Sequence, residues 1–422
     1  MRICFISRRY FPAISGMSVY AHNYLREMVR FGHDVVMISQ YRNDEAGTQI
    51  YGGGPPSPIE GVVVVGLESL GEQRVSFGEL ADFEADISAM VETAVLHHRI
   101  KPFDIVHAQY AYPNGLAALE ISRRLGIPNV VSIQGGDGHW VGLCCETHRL
   151  AIRAVFTHAN ELIIGSQSFA QEVHENHGIP LERFTIIPGA INANHFCARA
   201  DRLLGETGAT PTLLYHGRVD QRKGVLELIE AMKVFRVAGR SLRLIISGIG
   251  PDLVAAKELA SAMDLNDVVE FTGFVSYEDV PKVYQSADIF VSPTWSEGFS
   301  NTILEAMASG LPIVAARAIG VVDCLTDRLN ALFHEVHDVA GLSKQIELLL
   351  DDALLRSNLA TNALLEIQNK YCWPSIASQL VNRLNHNLLR APDNRWTESY
   401  PPTTSFNDAD HTCRFRQAPH LL

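Results

Sequence analysis

The sequence predicts an α/β protein made of two doubly wound parallel sheets, with the two domains facing a central cleft. Three observations support this. Short β-rich runs alternate with amphipathic helical stretches, the pattern of parallel strands covered by helices on both faces. The alternation breaks once, across a stretch of poor periodicity from Pro188 to Asp201, and then restarts. A chain of 422 residues is also too long for one typical core.

Taken in order, Arg2 to Ser7 reads as the first strand, followed by a loop holding Pro12 and Gly16. A helix over Val19 to Phe31 is closed by Gly32, and Val35 to Ser39 is the second strand. Further strands are expected at Val62-Val65, Ile105-His107, Val130-Ile133, Leu162-Gly165 and Thr185-Ile187, with helices at Phe83 to Arg99 and Leu116 to Leu125. After the break, strands fall at Leu213-Tyr215, Arg243-Ser247, Val268-Thr272, Ile289-Ser292 and Ile313-Ala315. Helices at Val225-Phe235, Pro251-Met263 and Asn301-Ser309 separate them. From about Ala391 the chain turns polar and Pro-rich (Pro401-Pro402), the composition of a disordered tail.

Bulk properties narrow the function classes. The net charge of −12 argues against non-specific nucleic-acid binding and gives no polybasic membrane surface. The pairs Arg8-Arg9 and Arg123-Arg124 read as solvated surface charge. Seven cysteines, an odd number without framework spacing, point to a reducing compartment. Cys144-Cys145 are adjacent and form neither a zinc pattern nor a CxxC. Apolar runs such as Val62-Val65 have strand length and fall short of a membrane span, and Met1 to Ile6 enters a strand without a signal-peptide layout. A cytoplasmic protein is expected, with peripheral contact at the inner face of a membrane left open.

The most informative segment runs from Ser296 to Gly310 (SEGFSNTILEAMASG). It sets two carboxylates, Glu297 and Glu305, across a loop-to-helix junction in which Ser300, Asn301 and Thr302 are all good N-caps. Gly298 permits close backbone approach, and the amides of a helix start attract phosphate. This suits a ligand with a central diphosphate and hydroxyl-rich ends. Thr302-x-x-Glu305 also satisfies a capping box, in which the glutamate merely reaches back to a backbone amide. The second half opens with Gly217-Arg218-Val219-Asp220-Gln221-Arg222-Lys223-Gly224, where Arg218 and Lys223 could each neutralise a diphosphate. Ser247-Gly248-Ile249-Gly250 would let a ligand approach the backbone, and Phe271-Thr272-Gly273-Phe274-Val275 could set main-chain groups against a nucleobase.

These segments occur together and in order. Gly217-Arg218…Lys223-Gly224, Phe271 to Val275, Glu297-Gly298-Phe299…Glu305 to Pro312 and Asn330-Ala331-Leu332 resemble the retaining GT-B glycosyltransferases of family GT4. The first half agrees: Pro12-Ala13-Ile14-Ser15-Gly16 resembles the first-strand glycine loop, Gly32-His33-Asp34-Val35 the "GH-x-V" and Asp104-Ile105-Val106-His107 the "D-x-V-H". The resemblance implies two Rossmann-like domains. The N-terminal, acceptor-side one spans 1–190, a linker 191–204, and the nucleotide-sugar-binding one 205–370, with 371–392 crossing back and 393–422 as the tail.

By the same resemblance, Arg218 and Lys223 would bind the donor diphosphate and stabilise the leaving nucleotide, Glu305 would hold the ribose, and Glu297 would contact sugar hydroxyls. Phe299, Ser300 and Asn301, beside Gly298, would offer backbone amides, and Gly16 would sit beneath the phosphates or sugar. Gly217, Gly248, Phe274 and Val275 complete the donor set. Family members need no metal held by a D-x-D motif. No cofactor or metal site is therefore expected, Mg2+ stimulation at most, and Asp408-Ala409-Asp410 reads as accidental. The chain departs from the pattern where a sugar-facing histidine in "T-x-H-G" is replaced by Gln134, which hydrogen-bonds but cannot become cationic. Nearby His139 is a candidate substitute. The first-loop glycine pair is Ser15-Gly16, the late "GG-x-P-E" reads Ile319-Gly320-Val321-Val322-Asp323, and "P-N-G-V-D" reads Pro188-Gly189-Ala190-Ile191-Asn192.

The implied activity is retaining transfer of a hexose-type sugar from a nucleoside diphosphate sugar to a hydroxyl of a glycan, lipid-linked or small-molecule acceptor, in polysaccharide or glycolipid assembly. The alternative is a catalytically impaired relative that binds nucleotide sugar or glycan as a partner subunit.

Overall fold

The computed structural model describes residues 1–13, 15–45, 53–400 and 413–419. Ile14, Pro401-Pro402 and Asp408-Ala409-Asp410 lie outside these residues. The chain forms two units, one of Met1–Pro188 with Ile376–Leu422 and one of Gly189–Ser375.

The first unit holds strands β1 (Arg2–Ser7), β2 (Asp34–Tyr41), β3 (Val62–Glu68), β4 (Ile105–Gln109), β5 (Asn129–Ile133), β6 (Glu161–Ile164) and β7 (Phe184–Ile186). They form one parallel sheet in the order β3-β2-β1-β4-β5-β6-β7. The second unit holds β8 (Thr212–His216), β9 (Arg243–Ser247), β10 (Val269–Gly273), β11 (Ile289–Ser292), β12 (Ile313–Ala316) and β13 (Leu332–His334), also parallel, in the order β10-β9-β8-β11-β12-β13. Both sheets are doubly wound, and the winding reverses between β1 and β4 and between β8 and β11. Ligands of open α/β sheets bind outside the carboxyl ends of strands at such reversals.

Strand alternation builds the core on both sheet faces. In the second unit Leu214, Ile245 and Phe290 pack with Ile303, Leu304 and Met307 of helix Asn301–Ala308. Leu213, Leu244, Ile246 and Val291 pack on the opposite face with helices Val225–Val237 and Val339–Asp351. The apolar strand runs are therefore two-sided, as parallel strands require. In the first unit His107 lies fully buried in β4, its Nδ1 2.8 Å from the Tyr24 hydroxyl and its Nε2 2.8 Å from the Ser132 hydroxyl. Burial pushes this imidazole down to about 3, so it remains a neutral strut. Asp104 accepts the Arg2 N–H at 2.6 Å, joining the start of β1 to the start of β4.

Several elements differ from the sequence expectation. The first helix starts at Gly16, not Val19, because Ser15 and Ser18 form a capping box: the Ser15 N–H donates to the Ser18 hydroxyl at 2.7 Å, and the Ser18 N–H to the Ser15 hydroxyl at 3.2 Å. Arg8 and Arg9 are not solvated surface charge. Arg8 is buried against Glu72 at 2.8 Å, and Arg9 reaches the other oxygen of the same carboxylate at 2.8 Å. Arg123 and Arg124 do sit at the surface, paired with Glu120.

The described part of the stretch expected to be disordered, residues 393–400 and 413–419, is packed onto the first unit. Tyr400 donates to Glu84 at 2.9 Å, and the Phe415 ring stacks on Phe83 at 4.6 Å. Average composition hides such anchors, because two or three aromatic side chains suffice to hold an otherwise polar segment. Helix Trp373–Asn387 precedes them and buries Ile376, Leu380 and Leu384, while its Arg383 pairs with the buried Glu161 at 2.6 Å.

Candidate active site

In the second unit the loops at the carboxyl ends of β8, β9 and β10 are tied by backbone. The Gly217 N–H donates to the Ser247 carbonyl at 2.9 Å, and the Gly248 N–H to the Gly273 carbonyl at 2.9 Å. Gly248 has φ +137°, and a Cβ there would lie 1.9 Å from the Gly217 carbonyl oxygen. The glycine that was expected to admit a ligand is thus needed first by the chain itself. Gly248→Ala should push the β8 and β9 loops apart and lower nucleotide affinity at least about 10-fold, since both strain and clash act on it. Calorimetric titration of the variant checks this, and wild-type affinity would refute it.

Beyond Gly217 the two cations are held by acids. Asp220 is nearly buried, and its carboxylate accepts the Arg222 guanidinium at 2.8 Å and lies 3.5 Å from the Arg218 Nε. Burial alone would raise its pKa. Hydrogen bonding and charge from Arg222, with Arg218 adding to them, bring it down to about 2. Lys223 Nζ lies 2.7 Å from Glu297 Oε1, each side chain retaining partial exposure. Glu297 is itself held from behind, its N–H donating to the Ile319 carbonyl at 2.9 Å. A Cβ on Gly320 (φ +74°) would lie 2.2 Å from the Glu297 carbonyl oxygen, so this glycine is what lets the two loops meet.

Helix Asn301–Ala308 has Ser300 as its N-cap residue, and no side chain caps it. Its first-turn N–H groups have no intrahelical acceptor. The capping box expected as an alternative for Thr302 and Glu305 does not form. The helix starts two residues too early for that register, and the Glu305 carboxylate turns instead to Tyr284, whose hydroxyl donates to it at 2.8 Å. Glu305 is buried, and burial lifts its pKa to about 7 against the lowering effect of the Tyr284 hydrogen bond. The Tyr284 ring meets His216 edge-on at 5.5 Å. Burial drives His216 down to about 4, so it stays neutral beside the Tyr284 ring. Phe299 packs on Tyr371 at 5.9 Å, Phe274 is half exposed, and Val275 packs against the core.

Gly217, Arg218, Lys223, Gly248, Gly298, Phe299, Ser300, Asn301, Glu297 and Glu305 thus gather at the carboxyl ends of β8, β9 and β11, where the strand order reverses. Gly16 and Gln134 belong to the first unit. Gly16 opens the first helix, and Gln134 directly follows β5. The Gln134 side-chain oxygen is buried and has no hydrogen-bond partner among the described residues. His139, five residues further on, has its Nδ1 held by Glu172 at 2.7 Å and its ring on Phe169 at 4.7 Å.

Sequence reasoning missed Tyr284, Asp220 and Asp137. Asp137 is fully buried and accepts N–H bonds from Ala111 at 2.8 Å, Gln134 at 3.2 Å and Tyr112 at 3.4 Å. It fixes the loops after β4 and β5, and only its place three residues beyond Gln134 hinted at this. Asp137→Ala leaves those donors facing a void and should cost about 3 kcal/mol of stability. A chemical-denaturation midpoint measures the loss, and an unchanged midpoint would refute it.

The family models described as "Glycosyl transferase 4-like domain" and "Glycosyl transferases group 1" match residues 15–190 and 201–365. An uncharacterized glycosyltransferase of Methanocaldococcus jannaschii is 24% identical over 401 residues, covering 90% of this chain and 97% of its own. Sucrose-phosphate synthase from Thermosynechococcus elongatus superposes with a TM-score of 0.76 at 20% identity, covering 92% of this chain and 98% of its own. HepE of Anabaena, solved with UDP and glucose, gives a TM-score of 0.73 at 16% identity, over 91% and 99%. The two sheets match the fold of the solved structures and the paired family models take up most of the sequence, so the chain belongs to the group 1, GT4-type glycosyltransferases of GT-B fold.

Proposed function

We propose that this protein is a retaining hexosyltransferase that moves a sugar from a nucleoside diphosphate sugar to a hydroxyl acceptor in glycan, polysaccharide or glycolipid assembly. The observation that carries this reading is the grouping of Arg218, Lys223 and the first turn of helix Asn301–Ala308 with the Tyr284-bound Glu305. Two cations and a helix start suit a diphosphate, and a buried carboxylate suits the ribose hydroxyls. The fold neighbour bound to UDP and glucose supports a nucleotide-sugar donor.

In the proposed reaction the bond between the anomeric carbon and the phosphate oxygen breaks as the acceptor hydroxyl attacks the same face. The acceptor proton passes to the departing phosphate. Arg218 and Lys223 balance the charge that accumulates there, the largest electrostatic task of the step. Lys223 would exchange its Glu297 partner for the diphosphate, freeing Glu297 to accept from sugar hydroxyls. Gln134 would hydrogen-bond the sugar without supplying charge. Transfer is proposed to proceed without added Mg2+.

The test is a thermal-shift screen of nucleotide sugars, followed by acceptor-dependent nucleotide release and assignment of the product anomer by NMR. Stabilisation by one donor, release that requires acceptor, and a retained anomer support the reading. An inverted anomer would overturn the retaining mechanism. Gln134 in place of histidine favours the partner-subunit alternative, and donor binding without transfer to any acceptor would decide for it.

A further inference from the structure

The first unit contains a side-chain cluster to which no role has been given so far. Cys144, Cys145, His148 and Cys413 converge so that their ligand atoms all lie within 4.8 Å of one another. Cys144 Sγ is 3.1 Å from His148 Nδ1 and 3.6 Å from Cys413 Sγ, and Cys413 Sγ is 3.4 Å from His148 Nδ1. His148 and Cys413 are fully buried, while Cys144 and Cys145 are half-buried.

We propose that Cys144, Cys145, His148 and Cys413 bind one zinc ion in a closed tetrahedral site that fastens the 413–419 segment to the first unit. A tetrahedron with bonds of about 2.3 Å to sulfur and about 2.0–2.1 Å to nitrogen has edges of roughly 3.5–3.8 Å. The three edges in the cluster are each shorter than those values, the Cys144–His148 one by roughly half an ångström and the other two by about a tenth or two. Three thiols and one imidazole form a soft donor set that selects zinc over hard cations, and four protein ligands leave no open position for chemistry.

The local fold prepares the ligands. Cys145 is the N-cap residue of helix Glu146–His158 and His148 lies in its first turn, so the positive end of a 13-residue helix faces the sulfurs and favours thiolates. The rings of Tyr112 and Phe415, 4.7 Å and 5.3 Å from the His148 ring, wall the imidazole. They leave Nε2 buried without a hydrogen-bond partner among the described residues, and turn Nδ1 to the thiols. A disulfide accounts for less. The Cys144 and Cys413 sulfurs are 3.6 Å apart, far beyond a bond of about 2.05 Å, and a disulfide would give Cys145 and His148 no part.

Binding is written as Zn2+ replacing the three thiol protons, which pass to solvent. Three thiolates and one neutral imidazole then hold the ion, leaving one net negative charge. The consequence is mechanical, because Cys413 stands 269 residues from Cys144. The segment it belongs to is otherwise held by the Phe415 stack on Phe83, the Ala81 N–H to the Arg416 carbonyl at 2.9 Å, and Arg8 to the Pro419 carbonyl at 2.7 Å.

The full-length chain, purified in reducing buffer without added metal, should carry about one zinc per molecule by plasma mass spectrometry. Replacement by Co2+ should give the intense visible bands and the sulfur-to-cobalt charge transfer of a tetrahedral thiolate site. Cys413→Ala should abolish that spectrum and weaken zinc retention at least about 10-fold, with faster amide exchange confined to the 413–419 segment. If Cys413→Ala fails to fold, the wild-type cobalt spectrum decides alone. A reduced wild-type chain that neither carries zinc nor takes up Zn2+ or Co2+ on titration overturns the site. So does a Cys144–Cys413 disulfide in the protein as isolated.

Discussion

Lys223→Ala is expected to lower the rate of sugar transfer by about 100- to 1,000-fold with little change in melting temperature. The rate should fall because the ammonium would no longer meet charge developing on the departing phosphate, which is a transition-state interaction. Stability should hold because the Lys223–Glu297 pair is partly exposed, and such pairs contribute about 0–1 kcal/mol. Coupled detection of released nucleotide gives kcat and donor KM separately, and the loss should fall mainly on kcat. Arg218→Ala should behave alike. A Lys223→Ala enzyme within a few-fold of wild type would remove Lys223 from the proposed chemistry, whereas a large fall in melting temperature would assign the residue to the framework instead.

Glu305→Gln is expected to stabilise the protein above pH 7 while weakening nucleotide binding by about 10- to 100-fold. Burial raises the Glu305 pKa from 4.5 to about 7 in the folded chain. Between those values the folded state keeps a proton that the unfolded state has lost, so stability falls as pH rises through this window and levels off above it. Asp86 and Asp137, each raised by burial from 3.8 to about 7, add to the same slope. Glutamine removes the Glu305 share of that loss. It also removes the charge that would accept ribose hydroxyls, and a hydrogen bond to a charged group is worth about 1.5–3 kcal/mol. Wild-type affinity should therefore climb with pH through about 7, while that of the variant stays flat. Calorimetric titrations at three pH values test both, and equal pH profiles for the two proteins would exclude Glu305 from the ribose site.

What the sequence carried most clearly was periodicity. Arg243–Ser247, Ile289–Ser292 and Leu116–Leu125 have the same bounds in the structure as in the reading, since each is a run of one period ended by a strong stop signal. The candidate site was legible as a grouping where its residues sit next to each other in the chain, as with Glu297 to Glu305 and Gly217 to Lys223. It was not legible where function depends on contacts across the fold. Tyr284 stands 21 residues from Glu305 and no local pattern links them, yet it holds the carboxylate. The cysteine reading failed to see the cluster for the same reason: Cys144 and Cys145 form no motif until folding brings Cys413 to them. Arg8 looked like surface charge because its buried partner, Glu72, lies 64 residues on in the short helix Leu70–Gln73.

The division of the chain has a consequence for its synthesis. The first unit is interrupted, and its sheet is complete in sequence long before the segment that finishes its packing has been made. Gly189–Ser375 must be translated in between, which takes roughly 10–40 s at ~5–20 residues per second. During that interval Glu161 waits without Arg383 and Asn387, and Phe83 without Phe415. The second unit, continuous in sequence, has all its parts as soon as it leaves the ribosome. The nascent first unit is then the half with uncovered apolar surface, and the one on which chaperone engagement and aggregation during translation would concentrate.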